Sequence, residues 1–271
     1  MYTKVSTLQE YISAVQEICS SWNALRTTTH PWFRGQGNIK WDLLPRLYRR
    51  GENSLCEREM CRDFRLRATA FLESVPTHDL EWLFIMQHHG MPTRLIDWTE
   101  SHLCALYFAV IDYQSAKDAA VWVLDSWSLN KFSIGWQSVP PSTDDLFAEY
   151  VLNPDEGDEV IRKVAADRPV AVRPARSTRR IVAQRGTFTV HGKLPTSLNE
   201  LKGSSGSAGE ASQIRLDCIS INGRKKKALL RELLLAGISH SVIFPDLDGL
   251  CKEIHFRYSK HYLGEGGLQS D

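Results

Sequence analysis

The chain has 271 residues, of which 42% are hydrophobic and 24% carry charged side chains, the composition of an ordinary globular protein. Its length allows a substantial core, in one large domain or two small ones. The 33 Lys and Arg residues nearly balance the 32 Asp and Glu residues. No overall positive field therefore attracts the protein to nucleic acid, although local patches remain open.

The six cysteines are scattered without the paired spacing of a metal site, and most of them stand in apolar segments. They are predicted to be reduced core residues, which is typical of a cytoplasmic protein. The N-terminus shows no pattern of a cleavable signal, and no apolar run approaches the roughly 20 residues that a membrane-spanning helix needs. We therefore expect a soluble protein without a membrane partner.

Hydrophobic periodicity predicts an amphipathic helix over residues 6–25 and a short strand over 32–34. The elements predicted next are helices over 54–74, 79–89 and 101–114, a buried strand over 119–124, a short helix over 144–152 and a turn at 153–157. The second half has more strand character. Strands are predicted there over 170–172, 180–183, 187–190 and 213–220, with a surface loop at 203–209 and a helix from residue 224.

The densest group of polar residues is the segment 87–99, in which Gly90 marks the end of a predicted helix. Two histidines fall on the last turn of that helix, where the helix dipole favours a cation, and Arg94 and Asp97 follow on the exit segment. Segments held between buried elements often carry function. The structural alternative is that Arg94 and Asp97 pair with each other and the histidines bind main-chain carbonyls.

A second polar motif favours the functional interpretation over the structural one. Residues 32–37 are predicted to form a strand that brings Arg34 into a turn permitted by Gly35, where the backbone can approach a ligand closely. Arginine binds phosphate or carboxylate groups through a planar, two-pronged fork of donors.

A metal site is not predicted. Asp246 and Asp248 stand together at a turn, but no histidine or further carboxylate follows at ligand spacing. Asp246 is instead predicted to cap the helix that begins after it. The histidines likewise lack acidic or cysteine ligands nearby in sequence.

These motifs resemble the FRG domain family, which is named for its first motif. The similarity is carried by Phe33-Arg34-Gly35, by Trp-Asp-Leu-Leu-Pro-Arg-Leu at 41–47, by the block 87–98 and by the run Ala-Leu-Tyr-Phe-Ala at 105–109. It covers residues 30–125, and motifs at 184–188 and 244–249 continue it towards the C-terminus. The chain is therefore interpreted as a single FRG domain over 1–271, with an N-terminal helix at 6–25, core motifs at 30–125 and a strand-rich part at 168–260.

A weaker resemblance is to the arginine-serine-glutamate class of ADP-ribosyltransferases. Arg34 on an early strand is similar to the arginine that holds the NAD pyrophosphate in that class, and Ser101 is similar to the serine of its second motif. The best-placed counterpart of the catalytic glutamate is Gln184, on a predicted strand. An amide cannot stabilise an oxocarbenium charge as a carboxylate does, so Asp97 or Glu100 would have to supply the charge.

We therefore expect a single mixed α+β domain with a central bent sheet flanked by helices, similar to the ADP-ribosyltransferase fold. Arg34 and the segment 87–101 should meet in one cleft. The expected catalytic residues are Asp97, Glu100 and Gln184. The expected residues for binding NAD as substrate are Arg34 on the diphosphate, Gln36 and Thr93 as hydrogen-bond partners, Trp98 or Tyr107 stacked on the nicotinamide, and Gly35, His88, Arg94 and Ser101 around them.

The resemblance implies an NAD-utilising enzyme, an ADP-ribosyltransferase or an NAD glycohydrolase, whose acceptor is water, protein or nucleic acid. The family context implies a role in bacterial defence or stress response, in some members as a toxin. The alternative is a non-catalytic module that binds phosphate, a nucleotide-like small molecule or a partner, with Arg34, Arg94 and Asp97 as a structural network. Gln184 favours this alternative, whereas the cluster of His, Thr, Arg and Asp favours the enzyme.

Overall fold

A computed structural model describes residues 3–22, 31–49, 54–151, 167–175, 178–202 and 213–258. Within these ranges, strands β1 to β7 form one sheet: Thr3–Val5, Trp32–Gln36, Leu95–Thr99, Ala119–Leu124, Val170–Val172, Gly186–Val190 and Leu216–Ile221. Their order across the sheet is β1-β7-β4-β2-β3-β6-β5. Among these strands, β1 and β7 pair in parallel and all other neighbours are antiparallel.

Helices α1 to α11 span Leu8–Ser21, Arg46–Arg49, Ser54–Ala68, Asp79–His88, His102–Val110, Ser126–Ile134, Arg179–Gln184, Leu198–Leu201, Lys226–Leu235, His240–Ile243 and Leu247–Tyr258. Short 3-10 helices lie at Thr69–Phe71, Asp145–Glu149 and Gly223–Lys225. This mixed sheet with its helices confirms the predicted α+β class. No helix in the described ranges has both the length and the apolar character to cross a membrane.

Local capping chemistry explains several helix boundaries. The Thr7 hydroxyl accepts a hydrogen bond from the Glu10 amide at 3.2 Å and so starts α1, which is shorter than the helix predicted over 6–25. Gly90 adopts the left-handed conformation, with φ of 83°, just beyond α4 as predicted. The predicted turn at 153–157 and the loop at 203–209 lie outside the described residues.

The strand predicted over 180–183 is wrong, because these residues belong to helix α7. Its β-branched residues favour a strand, but the flanking residues favour a helix. The side chain of Thr178 accepts from the Ile181 amide at 3.2 Å and caps the helix, and Arg185 ends it with a left-handed φ of 46°. The sheet resumes only at β6.

Apolar layers cover both faces of the sheet at β4. One contains Val121 and Val123 with residues of α1, α5 and α9, and the other contains Ala120 and Trp122 with residues of α6. Strand β4 is therefore buried on both faces, as its continuous apolar run predicts. The six cysteines all lie in the described ranges and none forms a disulfide, although Cys56 and Cys251 are exposed rather than in the core.

Candidate functional site

The sheet is nearly interrupted between β2 and β3. Strand β2 pairs with β4 along its whole length, but its register with β3 contains a single pair, Phe33 with Thr99. Beyond this pair Arg34 bridges the opening, and its Nη1 donates to the main-chain carbonyl of Asp97 at 2.6 Å. The same nitrogen lies 3.7 Å from Oδ2 of Asp97. The predicted proximity of these two residues is confirmed.

A cavity of about 310 Å³, called the main cavity below, lies at this opening. That volume is at the lower end of the range for small-ligand sites. Its aromatic lining residues are Phe33, Trp41, Phe84, Trp98, Phe108 and Phe188, and its guanidinium groups belong to Arg34, Arg49 and Arg180. Asp97 is the one carboxylate among the described residues that line it. Such a lining suits a ligand with a planar ring and negative charge.

The main cavity contains some of the predicted site residues and not others. Those that line it are Arg34, Gly35, Gln36, His88, Asp97, Trp98 and Gln184. Those that do not are Thr93, Arg94, Glu100, Ser101 and Tyr107. The prediction missed further lining residues of suitable chemistry, among them Trp41, Arg49, Phe84, Gln87, Arg180 and Phe188.

Asp97 is held by a chain of polar groups that runs back into the core. The Thr93 hydroxyl donates to Oε1 of Gln87 at 2.5 Å, and Nε2 of Gln87 donates to Oδ2 of Asp97 at 3.1 Å. The Leu95 amide donates to the Thr93 hydroxyl at 3.3 Å, so the hydroxyl hydrogen is available for Gln87 and sets its amide orientation. The Asp97 side chain remains 57% exposed, which leaves its carboxylate accessible to a ligand.

Arg94 is a structural residue and does not reach the main cavity. It is fully buried, and its Nε donates to the buried carboxylate of Glu57 on α3. The Arg94 amide donates to the same carboxylate at 2.7 Å. The structural alternative in which Arg94 pairs with Asp97 is therefore wrong, because α3 brings a carboxylate from 37 residues earlier in the chain. A buried guanidinium requires such a partner.

Three other predicted residues serve the scaffold. Ser101 accepts from the Cys104 amide at 3.3 Å and caps α5. The hydroxyl of Tyr107 contacts Nδ1 of His240 at 2.6 Å in the layer around α10, and burial raises the tyrosine pKa. Glu100 donates its main-chain amide to the Arg185 carbonyl at 3.1 Å and does not line the main cavity.

Two lining residues use their polar atoms within the protein. Trp98 is buried, and its indole N–H donates to the Thr189 hydroxyl at 3.2 Å, so it is not positioned as a stacking platform. The buried amide of Gln36 accepts from the Trp122 indole at 2.8 Å and donates to the Asp42 carbonyl at 3.5 Å. Both residues shape the cavity wall.

Gln184 lies at the end of α7, where its side chain is already bound. Its Nε2 donates to the Ile243 carbonyl at 3.2 Å, and its own carbonyl accepts from the Thr99 hydroxyl at 2.5 Å. These bonds connect α7 to α10 and to β3. The residue thus borders the main cavity but does not carry a charge into it.

Gly35 is required by packing rather than by ligand approach. A Cβ atom there would lie 1.8 Å from the Ala105 carbonyl oxygen and 2.7 Å from the Ala109 nitrogen. Helix α5 therefore crosses β2 in direct backbone contact. Gly37, in contrast, has its nearest neighbour, Trp41, at 3.9 Å from such an atom.

The electrostatics of the main cavity favour an anion. Burial lowers the pKa of Arg34; Asp97 opposes this change and Arg49 adds to it. Burial, then Arg46, lowers the pKa of Arg49. Burial, then Arg180, lowers the pKa of His88, so this imidazole is neutral at pH 7. The arginines repel one another, and a bound anion would relieve that repulsion.

The described residues contain no group of three or more His, Cys, Asp or Glu side chains placed to hold a metal ion. Asp246 accepts from the Gly249 amide at 2.6 Å and so caps α11, as predicted.

Part of the chain is similar to a known protein family. The family described as FRG domain matches residues 29–118. No curated protein and no solved structure matched the chain. The matched segment contains β2, β3 and α5, whereas α7 lies outside it. The segment that matches the FRG domain family contains both Arg34 and Asp97, which meet at the main cavity.

Proposed function

We propose that the main cavity binds NAD and that the protein releases nicotinamide from it, as an ADP-ribosyltransferase or an NAD glycohydrolase does. The observation that carries this proposal is the contact of Arg34 with Asp97 beside an aromatic cavity at the opening of the sheet. The resemblance of Arg34 to the diphosphate-binding arginine of ADP-ribosyltransferases supports it. The fork of a guanidinium matches the geometry of phosphate oxygens.

Aromatic rings beside Arg34 provide a place for the nicotinamide or its partner base. Phe84 and Phe188 are stacked with their ring centroids 4.5 Å apart, and both line the main cavity. This pair replaces Tyr107 in the proposal, because Tyr107 lies in another layer of the molecule. A planar ring can pack on such a surface in an offset or edge-to-face arrangement.

Asp97 is the proposed source of negative charge. Release of nicotinamide breaks the bond from the ribose to the pyridinium nitrogen, and the bonding electrons leave with nicotinamide. The ribose then carries an oxocarbenium charge, which a carboxylate stabilises better than an amide. In a hydrolase, water completes the reaction and yields ADP-ribose and a proton. In a transferase, a nucleophile of a protein or nucleic acid takes the place of water.

The second candidate function is a nucleotide-binding module without turnover. It is favoured by Gln184, an amide where the resemblance leads one to expect a glutamate. It is also favoured by the contacts of Asp97, whose carboxylate already has Arg34 and Gln87 as partners. Binding of NAD without release of nicotinamide would support this candidate.

The deciding experiment incubates the purified full-length protein with NAD and measures nicotinamide by chromatography, with thermal unfolding followed in parallel. We expect nicotinamide release and an NAD-dependent rise in Tm, both lost in Arg34→Ala. Arg224→Ala is the matched control, because Arg224 is exposed and does not line the main cavity. A wild-type protein whose Tm does not respond to high NAD concentrations would reject NAD as the ligand.

A cellular role follows from the same proposal. Consumption of NAD would arrest growth, which is consistent with a toxin in bacterial defence or stress response. Expression of the wild-type protein should then lower cellular NAD and slow growth, and expression of Arg34→Ala should do neither. If the wild-type protein and Arg34→Ala inhibit growth to the same extent, the toxicity does not depend on the main cavity.

A further inference from the structure

A second, smaller cavity lies directly beside the main cavity. Its volume is about 170 Å³, and it shares Arg34, Arg49, Gln87 and Asp97 with the main cavity. The contact of Arg34 with Asp97 therefore stands at the boundary between the two spaces. Beyond this boundary the smaller cavity adds a further cation, Arg46.

The cations of the smaller cavity are not balanced by acidic groups. Its described lining contains three guanidinium groups and one carboxylate, that of Asp97, which leaves two positive charges uncompensated. Arg46 and Arg49 are three residues apart on α2, a spacing that places them on one side of a helix. Their mutual repulsion lowers the pKa of Arg49 in addition to the effect of burial.

The two arginines of α2 differ in how they are held. Nη1 of Arg46 donates to the Gly90 carbonyl at 2.7 Å, which fixes its fork beside the end of α4. The Arg49 main-chain amide donates to the Pro45 carbonyl at 3.1 Å, but its guanidinium makes no hydrogen bond or ion pair with the described residues. It lies close enough to Asp97 for the two charges to interact. The Nε of Arg34 is buried and has no hydrogen-bond partner among the described residues. An anion in the smaller cavity would provide a partner for the Arg49 guanidinium.

We propose that the smaller cavity is a phosphate subsite, in which Arg46 and Arg49 hold one phosphate of a nucleoside diphosphate. Arg34 holds the adjoining phosphate at the boundary, and the planar ring of the nucleotide lies in the main cavity. This inference rests on the proposed ligand class, but it requires binding only and no cleavage. It assigns the ligand to nucleotides with at least two linked phosphates.

The test is calorimetric titration of the full-length protein with ADP-ribose, inorganic pyrophosphate and adenosine. We expect the wild-type protein to bind ADP-ribose and pyrophosphate. Arg49→Ala should weaken the binding of both ligands about ten- to a hundredfold, while adenosine binding stays as in the wild type. The affinity of Arg49→Lys for ADP-ribose and pyrophosphate should lie between those of the wild type and Arg49→Ala, because lysine keeps the charge but loses the fork. Higher salt should weaken wild-type binding more than binding by Arg49→Ala.

Controls separate this subsite from folding and from catalysis. Arg49 is exposed, so Arg49→Ala should keep the wild-type Tm without ligand, and Arg224→Ala should bind all three ligands normally. Unchanged affinity of Arg49→Ala for ADP-ribose and pyrophosphate would overturn the subsite, as would absence of binding by the wild type. Arginine-dependent binding of pyrophosphate by a protein that releases no nicotinamide would uphold the subsite and reject only the proposed enzyme.

Discussion

Asp97 lies at the boundary of two cavities, and its neighbours prepare it for contact with a ligand. Arg34 binds its main-chain carbonyl, and Gln87 binds its carboxylate. The orientation of Gln87 is set in turn by Thr93 in the core. Neither Gln87 nor Thr93 carries a charge, and Asp97 is the one acidic residue among the described residues that line the two cavities.

Asp97→Asn tests this charge while the size of the side chain is preserved. If the enzyme proposal holds, nicotinamide release should fall about a hundredfold, because the amide cannot stabilise the ribosyl cation as a carboxylate does. The exposed carboxylate adds little to folding, so the urea midpoint should stay close to that of the wild type. The measurement combines initial rates of nicotinamide release with urea unfolding.

The matched control for Asp97 is Asp145→Asn. Asp145 is exposed on a 3-10 helix and does not line either cavity. This variant should keep the wild-type rate. A folded Asp97→Asn variant with full activity would contradict the catalytic role of Asp97. An unfolded variant would instead make Asp97 structural.

At the scale of elements, the site depends on how α5 crosses β2. The closest approach is at Gly35, where an added Cβ would collide with the main chain of α5. Main-chain atoms cannot move aside as the end of a flexible side chain can. The Phe-Arg-Gly motif therefore combines a ligand-facing residue, Arg34, with a packing residue, Gly35, on adjacent positions of one strand.

Gly35→Ala should destabilise the protein by about 3 kcal/mol, because the helix must move away from the sheet. Gly37→Ala on the same segment is the matched control, since a Cβ there meets only ordinary contacts with Trp41. Unfolding of both variants in guanidinium chloride measures their free energies of unfolding for the comparison. Equal free energies of unfolding for the two variants would contradict the packing role of Gly35.

At the scale of the whole molecule, the sheet consists of two halves that share one residue pair. Strands β1, β7, β4 and β2 form one half and β3, β6 and β5 form the other, joined at Phe33 and Thr99. Both cavities lie against this junction.

The buried His191 follows β6, and its main-chain amide donates to the Arg94 carbonyl at 3.0 Å.

Stability should fall as the pH drops below about 6.5, the ordinary pKa of histidine. Burial, followed by the charges of Arg94 and Arg34, lowers the pKa of His191 to about 3. Because the unfolded chain takes up a proton near pH 6.5 and the folded protein does so only near pH 3, the neutral imidazole stabilises the fold above pH 6.5. This contribution is lost between those values, at up to about 1.4 kcal/mol per pH unit.

Urea unfolding at several pH values between 7.5 and 5 measures this slope. Burial also lowers the pKa values of His88, His102 and His240, so these residues act in the same direction. His191→Asn should reduce the slope, and exposed His78→Asn should leave it as in the wild type. An unchanged slope in His191→Asn would show that the fold accommodates a charged imidazole at this position.

The sequence by itself determined those features that depend on neighbouring residues. Gly90, Asp246 and the cap at Ser101 mark helix boundaries through local backbone geometry, and the structure has these boundaries. The apolar run of β4 is likewise a local signal. Arg34 and Asp97 could be selected because polar residues stood out in apolar surroundings, and they do meet. The strand predicted over 180–183 failed because side-chain preference was weighed above capping.

Only the tertiary structure decided which distant groups meet. Glu57 on α3 binds Arg94, and His240 on α10 contacts Tyr107. Neither Arg94 nor Tyr107 lines the main cavity, although both stand in the conspicuous motifs of the sequence. Arg49 and Arg180 enter the cavity because α2 and α7 pack around the opening of the sheet. Nothing local distinguishes these two from other arginines. Partner choice depends on burial and distance between elements, and these quantities exist only once the sheet has assembled.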